Sequence, residues 1–234
     1  MNGSPDAIAL HLSFSGYLSL AVSGICLFCA NHLLLHFVIK AVYPKYNTLP
    51  ARDFHEYRMQ VNAIVHAVFT SIFTLYCLFW TCRDGKTFFN DEECRMVPRN
   101  SHVWTCFFTS GYLTVETLFI LTVTGVHSPI DKQTLVHHIL GIFNFYIVFW
   151  PQDFTVTVGV AQLLMEASTP FVCMRWLNFH HGLKDSVFQL VNSVCMLVMF
   201  LVVRIAYQPY LAYVYMWPYL QLMWFQKEGV SVAY

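Results

Sequence analysis

Two adjacent histidines, His137 and His138, and two carboxylates, Glu116 and Glu166, stand inside long apolar runs of this chain. An ionisable group at bilayer depth is costly and normally faces a cavity or a partner. Imidazole serves as a general base, nucleophile or metal ligand near neutral pH. Neighbours on a helix point about 100° apart, so the two histidines can border one cavity without both facing it squarely. The alternative is an interfacial pair at a helix end, touching headgroups. Glu166 shares a helix face with Pro170 and Cys173, and has Ser168 and Thr169 beside it. Pro170 removes one helix hydrogen bond and frees the carbonyl of Glu166, which predicts a kink opening beside a carboxylate. Glu116 shares its face with Thr109 and Tyr112 and is a second cavity acid. Arg175 and Arg204 lie near the ends of apolar runs, where snorkelling to the interface is the ordinary behaviour; pairing with Glu116 or Glu166 is the other. His32, His36 and His66 lie on early runs and carry no assigned role.

The runs that must position these groups are long enough to cross a membrane as helices. They are Tyr17 to Ile39, Val61 to Trp80, His102 to Val126, Leu135 to Trp150, Phe154 to Trp176 and Val187 to Tyr207. The fourth opens on the two histidines and Pro151 ends it. A further stretch, Tyr210 to Phe225, is aromatic and broken by Pro218; it reads as a curtailed seventh span or a segment lying in the interface. Continuous runs exclude a membrane barrel, whose strands alternate over about ten residues. The expected fold is an all-α integral membrane bundle of six helices around a central cavity.

Composition supports a membrane protein. The chain is 57% apolar and only 11% charged, against about 25% charged in soluble domains, and its mean hydropathy is +0.51. A formal net charge of zero gives no sign of nucleic-acid binding. The eight cysteines do not follow metal-site spacing, so no metal or other cofactor is expected. Met1 to Ser15 contains no Lys or Arg, unlike the start of a signal peptide. Lys40, Lys45, Arg52 and Arg58 follow the first run, which places the N-terminus outside the cytoplasm. Cys82 and Cys94 share a polar loop on the opposite side. In an oxidising lumen they would form a disulfide; otherwise they are two free thiols.

Several of these residues also resemble one family. The segment Ser110-Gly111-Tyr112-Leu113 with Glu116, then His137-His138, then Leu163 to Phe171 (Leu-Leu-Met-Glu-Ala-Ser-Thr-Pro-Phe), then Arg175-Trp176 and Val203-Arg204-Ile205, is similar to the TLC-domain family. The likeness covers roughly residues 52–225. It implies an N-terminal segment with the first span over 1–51, a TLC domain over 52–225 and a short tail over 226–234. It also implies an endoplasmic-reticulum membrane and a role in lipid metabolism or trafficking. Family members usually continue beyond the point where this chain stops.

The resemblance implies a cavity that takes membrane lipids, with Tyr112, Glu116, Glu166, Ser168, Arg175 and Arg204 around it. The ceramide synthases of this family transfer an acyl chain from acyl-CoA to a sphingoid base, and their paired histidines map onto His137 and His138. Their further His-Asp pair is missing here, where Met165-Glu166 and then Ser168 stand. The leading expectation is therefore a lipid-binding protein of membrane-lipid homeostasis. An N-acyltransferase and an endoplasmic-reticulum cargo receptor are the alternatives.

Overall fold

A computed structural model describes residues 14–82, 85–127, 129–148 and 154–217. The described residues form helices and connecting turns. Helix α1 (Phe14–Val42) leads through a 3₁₀ turn, Pro44–Thr48, to α2 (Ala51–Phe79). A short α3 (Glu92–Met96) precedes α4 (Asn100–Phe119), which widens into a π turn over Ile120–Thr124. Next come α5 (Pro129–Phe143), extended by Asn144–Val148, and α6 (Phe154–Gln162). A 3₁₀ segment, Leu163–Ser168, joins α6 to α7 (Thr169–His180). The last rod is α8 (Val187–Met199), a π stretch Phe200–Ala206, α9 (Tyr207–Leu211) and a second π stretch Ala212–Met216.

Five of these helical rods are long and apolar enough to cross a membrane: Leu18–Val42, Ala51–Phe79, Asn100–Thr124, Thr155–His180 and Val187–Tyr215. The expected fourth span is helical from Pro129 to Val148 but is not among them. Its polar opening, its two histidines and Asn144 dilute its hydropathy. Trp150 and Pro151 lie outside the described residues.

The sixth run and the stretch after it differ from expectation. The helix does not stop at Tyr207 but continues to Trp217. Pro209 is carried inside the rod, flanked by π turns on both sides. Such local widening lets a membrane helix re-satisfy the carbonyls that a proline frees. Pro218 and the residues after it lie outside the description. The second rod also starts earlier than Val61, because Ala51 to Gln60 adds helical turns at its polar end.

The core forms where α1 packs on α4, and where α2 packs on α4 and α7. Small residues set the closest approach. A Cβ on Gly111 would collide with the Gly24 backbone, and one on Gly24 would stand 2.6 Å from the Phe107 carbonyl oxygen. Close backbone crossing at small residues is the usual means of packing membrane helices. Phe28, Val103, Phe107, Leu113, Val156 and Val160 fill the space alongside. The last rod lies on the outside. Val187, Leu190, Val194, Leu197, Leu201 and Ile205 are exposed along it, as suits a face turned to lipid.

Candidate functional site

The Pro170 signal acts as its chemistry requires. Proline offers no N–H to the Glu166 carbonyl, and the Thr169 N–H takes that carbonyl instead. The bond spans three residues rather than four, so the rod tightens to 3₁₀ over Leu163–Ser168. Glu166 sits in this segment, half-buried, and its Oε2 accepts from Thr169 Oγ1 at 2.8 Å.

Arg204 holds the tightened segment from the last rod. Its Nε donates to Ser168 Oγ at 2.9 Å and its Nη2 to the Met165 carbonyl at 3.5 Å. Ser168 is fully buried and donates to the same carbonyl at 2.9 Å. The guanidinium also lies 4.9 Å from the Phe200 ring centroid. Arg204 thus does not snorkel. Arg175 is exposed, with its guanidinium 5.3 Å from the Phe179 centroid, and keeps the interfacial behaviour.

Glu166 opens onto a cavity of about 160 Å³ between α4, α5 and α6. Its polar lining is His137, Asn144, Gln162, Glu166 and Thr109, set among Leu113, Leu140, Phe145 and Leu163. Gly141 and Gly159 leave it room. His137 and Glu166 therefore share one cavity. His138 does not line it. It is buried, its ring centroid 6.0 Å from that of Tyr112. The two adjacent histidines face different surroundings, as the 100° helical step demands.

Tyr112 and Glu116 lie in the packed polar seam between α2 and α4 rather than on this cavity. Tyr112 stacks on His66 at 3.9 Å with the rings 6° from parallel. Glu116 Oε1 accepts from Asn62 Nδ2 at 2.7 Å, and Asn62 Oδ1 accepts from Asn31 Nδ2 at 2.5 Å. Three helices, α1, α2 and α4, are thereby joined through the Asn62 amide. Further along, His66 and Thr70 each lie 3.4 Å from Thr109 Oγ1, and Cys77 Sγ lies 3.7 Å from Thr105 Oγ1. Thr109 also lines the cavity, so the seam and the cavity meet there.

His66 and Asn62 are the seam residues that sequence reasoning passed over. Their signal is periodic: Arg58, Asn62, His66, Thr70 and Thr74 recur every fourth position of α2, and all five are buried. A polar residue every four on an apolar helix draws one continuous stripe. His32 and His36 stand instead against aromatic rings, Phe119 at 4.0 Å and Phe54 at 5.4 Å respectively.

The two ends of the bundle carry their own polar structure. Cys82 and Cys94 are brought to bonding distance, with Cα atoms 5.7 Å apart, within the usual range for a disulfide. Nearby, Lys86 Nζ lies 2.7 Å from Asp91, which caps α3 through the Cys94 N–H. That lysine first, and that N–H second, hold the Asp91 carboxyl below its ordinary range. At the other end, Tyr57 Oη lies 3.0 Å from His181 Nε2. Burial, then the neighbouring His180, lowers the His181 imidazole below its ordinary value.

No group of three or more His, Cys, Asp or Glu side chains positioned to hold a metal occurs among the described residues. What the central arrangement offers is an imidazole and a carboxylate facing one small cavity of mixed polarity. A second polar seam, buried between α2 and α4, adjoins it.

Comparison with known proteins places the chain. Residues 56–231 match the profile of the TLC domain. Human TLC domain-containing protein 4 is 28% identical over 203 residues, 80% of this chain and 70% of that protein. TLC domain-containing protein 4-B of Xenopus laevis is 31% identical over 166 residues, 70% of this chain and 60% of the relative. Protein CLN8 of Canis lupus familiaris is 22% identical over 186 residues, 78% of this chain and 61% of the relative. The chain thus spans 60–70% of the length of these relatives. No solved structure matches it. With a TLC domain covering most of its length and several helices fit to cross a bilayer, the chain belongs to the TLC-domain family of multi-pass membrane proteins.

Proposed function

We propose that this protein binds a membrane lipid in the cavity between α4, α5 and α6 and acts in membrane-lipid homeostasis. The supporting observation is the lining itself. His137, Asn144, Gln162 and Glu166 meet Leu113, Leu140, Phe145 and Leu163 around one space. Binding pockets combine apolar walls with a few convergent polar groups, and this mixture suits the polar–apolar junction of an amphiphile. At about 160 Å³ the cavity takes part of a lipid and leaves the rest of the chain to the bilayer. The test is lipid carried through purification in mild detergent. Gly141→Leu and Gly159→Leu, which fill the cavity, should lose the lipid that the unaltered protein retains while melting cooperatively. Undiminished lipid in both variants would end this reading.

A second reading, acyl transfer from acyl-CoA to a sphingoid base, draws support from His137 and Glu166 facing the same cavity. In that reaction the amine nitrogen attacks the thioester carbonyl carbon and the carbon–sulfur bond breaks. His137 takes the proton from nitrogen and returns it to the departing thiolate. His138, buried beside Tyr112, acts only as support. Labelled acyl-CoA and sphingosine should then give ceramide that His137→Ala abolishes and His138→Ala reduces less. No ceramide above the His137→Ala level would remove it.

The site of action in this account is the endoplasmic-reticulum membrane, with the N-terminus and the Cys82–Cys94 loop in the lumen. The basic residues Lys40, Lys45 and Arg52 at the opposite end support that orientation. A cysteine-reactive probe that cannot cross membranes tests it in sealed microsomes. Labelling of Cys94 in Cys82→Ser without permeabilisation would reverse the orientation.

A further inference from the structure

A second cavity, of about 260 Å³, lies at the end of the bundle where α2 and α5 begin and where α4 and α7 end. Its lining differs in kind from the first. Arg52, Glu56 and Asp131 bring one positive and two negative side chains to one space, with Gln60, Thr124, Thr134 and Trp176 around them and Met59 and Ile120 on the bundle side. Asp131 links two of the neighbouring groups. Asp131 Oδ2 accepts from the His127 backbone N–H at 2.9 Å and lies 3.8 Å from Arg52 Nη2. Glu56 is half-buried and lines the same space as Trp176. The wide turn Ile120–Thr124 and Gly125, whose φ is +74°, turn the chain at the cavity's edge, where the His127 ring packs against Gly125.

The chemistry of a fitting ligand follows from this set. Arg52 has five N–H donors in a fork, and a single 3.8 Å approach to Asp131 leaves donors for a phosphate. Arg52 also stands in the first turn of α2, where a helix favours an anion. The two carboxylates call for a cation that carries N–H groups, because a carboxylate binds an ammonium best by accepting its hydrogen bonds. A quaternary ammonium has no N–H and prefers an aromatic cage, and Trp176 is the one aromatic ring on the described lining. The cavity stands where helices end, the depth at which headgroups lie. Its volume is roughly nine waters' worth, room for a headgroup and not for acyl chains.

We propose that this cavity binds the phosphoethanolamine headgroup of a membrane phospholipid, with the phosphate on Arg52 and the primary ammonium on Glu56 and Asp131. The site is separate from the central cavity and stands without the central lipid.

The test uses the intact protein in nanodiscs holding equal ethanolamine, choline and glycerol phospholipids, with bound lipids counted by native mass spectrometry. Ethanolamine phospholipid should be retained about tenfold over the other two, the effect of one charge-assisted hydrogen bond. Arg52→Gln and Glu56→Gln should each abolish the preference, and Gly159→Leu in the central cavity should leave it intact. Arg52→Lys, which keeps the charge, controls for folding and should retain part of it. Equal retention of the three lipids, or a preference that survives Arg52→Gln and Glu56→Gln, would overturn the proposal. A thermal shift with free phosphoethanolamine but no lipid preference would also overturn it, by making the ligand a soluble one.

Discussion

Asn62 donates its side-chain N–H to the buried Glu116 carboxylate at 2.7 Å, and its own carbonyl accepts from Asn31 at 2.5 Å. One amide thus ties α1, α2 and α4 together at the point where an acid lies deepest between them.

The cost of losing that amide follows from what it leaves behind. Asn62→Ala strands a buried carboxyl group and should destabilise the protein by about 1–3 kcal/mol. Glu116→Gln keeps an acceptor for Asn62 and should cost less. Unfolding in mixed micelles measures both. Asn62→Ala as stable as the unaltered protein would show that the seam does not hold these helices.

The crossing of α1 and α4 gives a sterically defined case. A Cβ at Gly111 has nowhere to go but the Gly24 backbone, which cannot yield as a side chain can. Gly111→Ala should therefore push the helices apart at about 1–3 kcal/mol, seen in the same unfolding assay. A neutral Gly111→Ala would mean that the two helices stand farther apart than this contact requires.

Arg204 and Ser168 should be coupled. Arg204→Met and Ser168→Ala each break the 2.9 Å bond that fixes the tightened segment. In a double-mutant cycle the interaction should be about 1–2 kcal/mol, the scale of polar contacts between membrane helices. Additive effects would make Arg204 a mere occupant of the interface.

His181 gives a pH dependence of known sign. Its folded imidazole titrates below its ordinary value of 6.5, chiefly through burial, so the unfolded chain binds the proton first. Its contribution is present in full above pH 6.5 and is lost as pH falls through the lower folded value. The melting advantage of the unaltered protein over His181→Gln should shrink on acidification from pH 7.5. An advantage that grows on acidification would contradict the assignment.

The residues that were legible in the sequence are those whose effect is local. Pro170 foretold a break in the α-helical hydrogen-bond ladder at Glu166, because a missing N–H acts within one turn. The apolar runs foretold the rods because hydropathy sums along a chain. The rod from Pro129 to Val148 was harder to count, because the histidines that make it interesting also make it polar. Arg204 was read as snorkelling because its partner, Ser168, is 36 residues away on another rod. The α2 stripe from Arg58 to Thr74 was visible every fourth residue, yet its meaning needed Thr109 and Glu116 opposite. Gly111 stood out only as part of a motif, since the Gly24 backbone that it meets belongs to α1.

The proposed function requires a lipid to enter the cavity shared by His137 and Glu166. Photo-crosslinking with a diazirine-bearing phospholipid, followed by peptide mass spectrometry, tests it most directly. Label should concentrate on residues 137–145 and 159–166 and fall when Gly159→Leu fills the space. Label confined to the lipid-facing rod, at Leu190, Val194 and Leu197, and unchanged by Gly159→Leu would contradict the account.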